Sequence, residues 1–199
     1  MAYNRKDHYY RKAKEEGKAS RAAYKLIQLQ ERFHLIRKGA IVLDLGSAPG
    51  GWLQELSVLV GPAGRVIGID LLPLKIALPK NAAFIQGNIE DDTTFARLKA
   101  YAEDGVTTIV CDMAPNTSGV SFADAYRSFE LAIIALTMCH QLLKEGGNFL
   151  VKIFPGDELD HFHQELQKYF KKVQRIVPPA TRKTSSELYF VCTGYKKAC

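Results

Sequence analysis

An α/β fold, with one mostly parallel sheet and helices on both faces, follows from three features of the chain. Strand-like and helix-like stretches alternate from residue 41 to residue 177. The strand-like stretches are compact and apolar, as strands covered by helices must be. A glycine-rich turn, GSAPGG at 46–51, joins the first strand to a helix, and sheets of this class bind ligands at such junctions.

Before the sheet, SRAAYKLIQLQERF (20–33) reads as a helix with Ser20 as N-cap. Its apolar positions Ala22, Leu26, Leu29 and Phe33 follow the helical stripe. Lys25 sits on the margin of that stripe and is turned toward the protein. IVLDL (41–45) is a strand and GGWLQELSVLV (50–60) a helix. RVIGID (65–70) and AAFIQG (82–87) are strands, TTFARLKAYAED (93–104) a helix, and VTTIVCDM (106–113) a strand. The stretch 121–147 reads as one long amphipathic helix closed by Gly146-Gly147. NFLVKIF (148–154) is a buried strand in which alternation sets Lys152 with Leu150 and Phe154. A helix at 157–170 and strands at 172–177 and 187–195 complete the chain. No helix separates the last two strands, so one of them runs antiparallel.

At 199 residues, 47% hydrophobic and 24% charged, the chain has the size and composition of a single domain over 1–199, with a basic helical extension over about 1–35. No apolar run is long enough to span a bilayer, and the polar N-terminus lacks a secretory core, which points to the cytoplasm. Cys111, Cys139, Cys192 and Cys199 form no CxxC or Cys/His cluster. They read as buried free thiols, with no metal site. His161 and His163 fall on a polar helix and read as solvated. The net charge of +6 divides unevenly. Residues 1–25 carry eight Lys/Arg against three Asp/Glu, and residues 168–199 eight against one, while 26–167 carry eleven against seventeen. Two basic ends around an acidic centre suit an anionic macromolecule. Tyr3, Tyr9, Tyr10 and Tyr24 interleave with the first basic run, as in proteins that stack on exposed bases.

VLDLGSAPGGW (42–52) is a strand, a turn and a helix start. Gly46, Gly50 and Gly51 permit sharp turning and close approach to the backbone, at a helix N-terminus whose N–H groups are free. The next strand ends in Asp70, where a carboxylate can take ribose hydroxyls. A dinucleotide site wants GxGxxG. Ala48 stands where that pattern needs its second glycine, so the loop suits S-adenosylmethionine better than a pyrophosphate and disfavours an NAD-dependent oxidoreductase.

The blocks DHYYRKAKEEGKASRAAYKL, VLDLGSAPGGW, CDMAPNTSG, GGNFLVKIFPG and SSELYFVCTGYK occur in this order along the chain. Over nearly its whole length the sequence resembles the FtsJ/RrmJ family of RNA 2′-O-ribose methyltransferases. The resemblance implies a Rossmann-like methyltransferase sheet of seven strands, the last antiparallel. It also implies a catalytic tetrad of Lys25, Asp112, Lys152 and Glu187. Family cofactor contacts map onto Gly50, Trp52, Asp70, Asn88 and Asp112. With the loop and its neighbours, the cofactor candidates are Gly46, Ser47, Pro49, Gly50, Gly51, Trp52, Asp70, Leu71, Asn88, Ile89 and Asp112. Two departures stand out. Asn88 replaces a common Asp, although an amide oxygen can still accept from an adenine amino group. The segment PGDELDHFHQEL after Lys152 lacks the usual glutamine-glycine form.

A ribose hydroxyl is a poor nucleophile until it loses its proton, so a lysine beside it acts either as a neutral base or as a cation that steers the oxygen and stabilises its developing charge. The resemblance implies a uridine of large-subunit ribosomal RNA, in the assembled subunit, as substrate. Transfer RNA and a non-catalytic RNA-binding assembly factor are the alternatives. Arg5, Lys6, Arg11, Lys12, Lys14, Lys18, Arg21, Arg182 and Lys183 are the candidates for holding phosphates, in a protein expected to be monomeric and free of metal.

Overall fold

The computed structural model describes residues 11, 12, 15–18, 20–182 and 184–197. The elements are α1 (Ala23–Phe33), β1 (Ile41–Leu45), α2 (Gly51–Val60), β2 (Arg65–Asp70), β3 (Ala82–Gln86), α3 (Asp92–Tyr101), β4 (Val106–Cys111), α4 (Ser121–Leu142), β5 (Leu143–Ile153), α5 (Leu159–Tyr169), β6 (Phe170–Ile176) and β7 (Leu188–Tyr195). The strands form one sheet in the order β3-β2-β1-β4-β5-β7-β6. β1 to β5 pair parallel. β7 runs antiparallel between β5 and β6, as the missing crossover helix requires.

The period-two alternation divides the core by sheet face. Leu43, Ile67, Ile109, Phe149, Val151 and Phe190 point to one side, under α3, α4 and α5. Val42, Val66, Val110, Leu150, Tyr189 and Val191 point to the other, under α1 and α2. Lys152 follows Leu150 on this second side. Strand order reverses between β1 and β4, and such a switch point leaves a crevice at the carboxyl edge of the sheet.

Three expectations are corrected. The fourth helix ends at Leu142, not at the glycine pair, and Leu143 pairs with Val106 to start β5. Cys139, Leu142 and Leu143 are all buried, so apolar periodicity does not mark where helix becomes strand. The glycine pair instead falls inside β5, where Gly146 has φ of 76° and the register with β4 shifts. α1 begins three residues after Ser20, with Ala22 at the N-cap and no side-chain cap. The Ser20 side chain is packed against Gly51, where a Cβ would overlap its Oγ. His163 is half-buried, with Nδ1 2.9 Å from Arg175 Nη2 and its ring against Phe190, because α5 lays that residue over β6 and β7. Cys111, Cys139 and Cys192 are buried free thiols, and Cys199 lies outside the described residues.

Candidate active site

Four elements bring the tetrad together. Lys152 lies on β5 opposite Tyr189 of β7, so both side chains rise from the same face. Asp112 follows β4, its N–H bonded to the Leu45 carbonyl at 3.0 Å. Lys152 Nζ lies 2.9 Å from Asp112 Oδ1 and donates to the Asp112 carbonyl at 2.5 Å. Glu187 sits just before β7 and pairs with Lys25 of α1. Lys25, Lys152 and Glu187 are buried, and such charges persist only when paired. Burial pulls the Asp112 pKa up, but Lys152, Lys25 and the Tyr189 hydroxyl outweigh it and hold the carboxyl below its usual range.

Tyr189 joins the two ion pairs. Its hydroxyl donates to Asp112 Oδ1 at 2.7 Å, its ring stacks on Trp52 at 6.0 Å, and Lys25 Nζ lies 5.9 Å over that ring. Sequence reasoning missed this residue. The signal was present, since Tyr189 lies one strand period after Glu187, but an aromatic in an apolar strand reads first as core.

The turn after β1 is built from close contacts within the protein. Gly46 has φ of 83° and Gly50 of 116°, conformations that L side chains rarely adopt. Added Cβ atoms would strike Met113 at Gly46 and Ile76 at Gly50. The space that a side chain would need at these two glycines is therefore taken by Met113 and Ile76. The Ser47 hydroxyl donates to the Asp44 carbonyl at 2.8 Å, and the Pro49 carbonyl accepts from Lys75 N–H at 3.0 Å. Trp52 is buried, and its Nε1 donates to the Ala22 carbonyl at 2.8 Å.

Beside this turn lies a cleft of about 400 Å³ at the carboxyl edge of β1, β2 and β4. Gly46, Asp70, Leu71, Asn88, Ile89 and Asp112 line it, as do Ala48, Leu72, Gly87, Glu90, Met113, Ala114, Leu131 and Ile134, which sequence reasoning did not select. Ser47, Pro49, Gly50, Gly51 and Trp52 are not among the residues that line it. Asp70 accepts from Ala48 N–H and Leu72 N–H at 2.8 Å each, so one carboxylate fastens both loops and retains lone pairs for a ligand. Asn88 Oδ1 accepts from Glu90 N–H at 3.2 Å. Asp44, fully buried, has no hydrogen-bond partner on either carboxyl oxygen. Burial, together with the Asp112 and Asp70 carboxylates, pushes its pKa up to about 8, against the opposing influence of Ser47.

The candidate RNA contacts divide. Arg5, Lys6, Lys14 and Lys183 lie outside the described residues. Lys18 donates to Glu55 at 2.7 Å, and Arg21 donates to the Ala180 carbonyl at 2.5 Å. These two charges tie the start of α1 to α2 and to the loop before β7. Arg11 is exposed, Lys12 reaches Glu16 at 3.8 Å, and Arg182 is half-buried. Tyr24 and Ala180 pack together, so the two basic ends of the chain meet at the mouth of the tetrad.

The switch-point crevice, the antiparallel β7 and the ion-paired tetrad define a Rossmann-like methyltransferase. The FtsJ-like methyltransferase family model matches residues 19–195, and the chain belongs to that family. It is 44% identical over 191 residues to the ribosomal RNA large subunit methyltransferase E of Methanothrix thermoacetophila, covering 96% of this chain and 73% of the relative. The protein of that name from Bdellovibrio bacteriovorus is 40% identical over 192 residues, covering 96% and 97%. A crystal structure of a ribosomal RNA methyltransferase from Plasmodium falciparum superposes with a TM-score of 0.77 at 30% identity, covering 90% of this chain and 99% of that one.

Proposed function

We propose that the protein transfers a methyl group from S-adenosylmethionine to a ribose 2′-hydroxyl of large-subunit ribosomal RNA, acting on the assembled subunit. The observation that carries this reading is the Lys152–Asp112 pair, buried at the end of the cofactor cleft and bridged to Lys25–Glu187 by Tyr189. The names of the relatives support the substrate.

The site fits a cationic adenosine cofactor. Asp70 and Asp112 line one cleft, and the unpartnered Asp44 carboxyl lies close enough to both for their charges to act on it. Burial and the two neighbouring carboxylates keep Asp44 protonated, and a cation bound nearby would favour its ionised form. Asp70 would hold the ribose, the walls at Leu71, Ile89 and Met113 the adenine, and Asn88 its amino group. S-adenosylmethionine supplies a methyl group already activated by its sulfonium.

The remaining chemistry belongs to the chain. Asp112 fixes Lys152 through two contacts, leaving one position on Nζ for the ribose 2′-oxygen. There Lys152 takes the proton as the neutral amine, or as the ammonium orients the oxygen and stabilises its developing charge. Lys25 and Glu187, locked as a pair, set the electrostatics from the far side of Tyr189. Burial of the tetrad keeps competing water from the nucleophile's place.

The test uses labelled cofactor and large ribosomal subunits that lack the modification, with free rRNA and tRNA in parallel, and maps the label to base or ribose. Ribose label on the subunit that disappears with Lys152→Ala is expected. Label on a base contradicts the chemistry, and label on tRNA alone contradicts the substrate.

A further inference from the structure

The first two turns of α4 present apolar side chains that the protein does not cover. Phe122 is 70% exposed and Tyr126 47%, with Val120 at 59% just before the helix. Phe122, Tyr126 and Phe129 form one stripe of the helix. Its lower end enters the core, where Phe129 meets Phe162 edge-on at 6.1 Å. Its upper end runs out beyond the core. Facing it is the loop after β5, which approaches α4 so closely that a Cβ on Gly156 would come 2.8 Å from Ala125 Cβ. The two enclose a cleft of about 190 Å³, walled by Phe122, Tyr126, Phe129 and Phe154 and rimmed by Asp157 and Glu158. The loop leaves β5 at Ile153, one residue after Lys152, so the cleft lies at the same carboxyl edge of the sheet as the tetrad. It lies under α4 and α5, on the opposite sheet face from α1. This is the segment whose sequence departs from the family form.

Charge selects the occupant. Asp157 is exposed, and the Asp160 side chain beyond it is 80% exposed although Arg175 touches it. Arg127 leans toward Asp124 at 3.9 Å rather than into the cleft. A nucleobase seated here would carry its phosphate within a Debye length of these carboxylates and be repelled. A lysine or arginine gains from both walls, with carboxylates for its charge and aromatic faces for cation–π contact. Proteins that pack on RNA carry such side chains where they meet phosphates.

We propose that this acidic, aromatic cleft docks a Lys/Arg-bearing segment of a protein bound next to the target nucleotide. The proposal rests on the reading that the substrate RNA is methylated within a ribonucleoprotein particle. A photoreactive benzoylphenylalanine placed at position 122 of the full chain, irradiated on purified subunits lacking the modification, reads the neighbour directly by mass spectrometry. A crosslink to a Lys/Arg-rich peptide of one subunit protein is expected. A crosslink to rRNA gives the cleft to a nucleobase and overturns the proposal, as does a yield no higher than with the same label at Val58, on the far half of α2. In the second arm, the double substitution Asp157→Lys and Glu158→Lys is expected to raise KM for subunits about tenfold, with kcat at saturation unchanged. An unchanged KM overturns the docking, while normal wild-type turnover keeps the parent reading intact. Wild-type protein that methylates no subunits ends the parent reading and this one together.

Discussion

Asp44 and Lys152 show how differently two buried ionisable groups can be treated in one site. Lys152 is held by Asp112 at two points, whereas Asp44 is held at none. With its native pKa raised to about 8, Asp44 keeps a proton that the unfolded chain has lost. Stability therefore falls as pH rises from about 4 to about 8 and is flat on either side with respect to this group. Asp44→Asn should unfold later than wild type at pH 8, by about 1–3 kcal/mol, with the gain shrinking toward pH 4. Denaturant titrations at the two pH values check this, and a pH-independent difference would remove Asp44 as the cause. Lys152→Ala should slow single-turnover methyl transfer by roughly 10²–10⁴-fold, with cofactor Kd nearly unchanged by calorimetry. Tyr189→Phe deletes only the hydroxyl that Asp112 accepts from. It should lower the rate about tenfold, on the order of one charge-assisted hydrogen bond, and move the acid limb of the pH–rate profile upward as Asp112 loses a stabilising donor. An unmoved limb would assign that limb to another group.

At the scale of elements, the turn between β1 and α2 does the most positioning. Gly50→Ala faces both a φ of 116° and a clash with Ile76, while Gly61→Ala faces a φ of 68° and open space. The first should cost several kcal/mol and cofactor binding with it, the second only about 1–2 kcal/mol of backbone strain. Paired denaturant curves decide, and equal losses would mean that packing against Ile76 contributes nothing. The strand-helix alternation was legible in the chain because β1, β2 and β4 are short apolar runs bounded by turns. The end of α4 was not, since burial of Leu142 and Leu143 continues unbroken from helix to strand. Ser20 was misread because its local pattern suits an N-cap, whereas tertiary packing against Gly51 places it elsewhere. The motif blocks carry all four tetrad positions, but not the hydroxyl that links them. Tyr189 acts across the sheet, and a linear pattern does not show which strand will face which. The loop glycines were legible as turn formers. That their free side is filled by Met113, Ile76 and Ser20 is a tertiary fact.

At the scale of the whole molecule, charge and topology coincide. Arg21 on Ala180 and Tyr24 against the same residue join the two basic ends, and both ends carry a tetrad residue, Lys25 and Glu187, into the switch-point crevice. The opposite side of that crevice carries the acidic cleft of α4 and the loop after β5. A substrate of bare RNA would meet cations on one side and carboxylates on the other, whereas a ribonucleoprotein surface offers partners for both. Of the basic side chains, Lys18 and Arg21 are committed within the fold. Alanine at either should destabilise the α1 contacts rather than reduce the salt dependence of RNA binding, whereas alanine at the exposed Arg11 should reduce that salt dependence. No described helix is long and apolar enough to cross a membrane. The most direct measurement of the central claim is transfer of labelled methyl from S-adenosylmethionine to large ribosomal subunits lacking the modification, with the product digested to nucleosides. Label recovered in a 2′-O-methylated nucleoside, and lost with Lys152→Ala while cofactor still binds, is the predicted result. Label recovered on a base, or undiminished in Lys152→Ala, would contradict it.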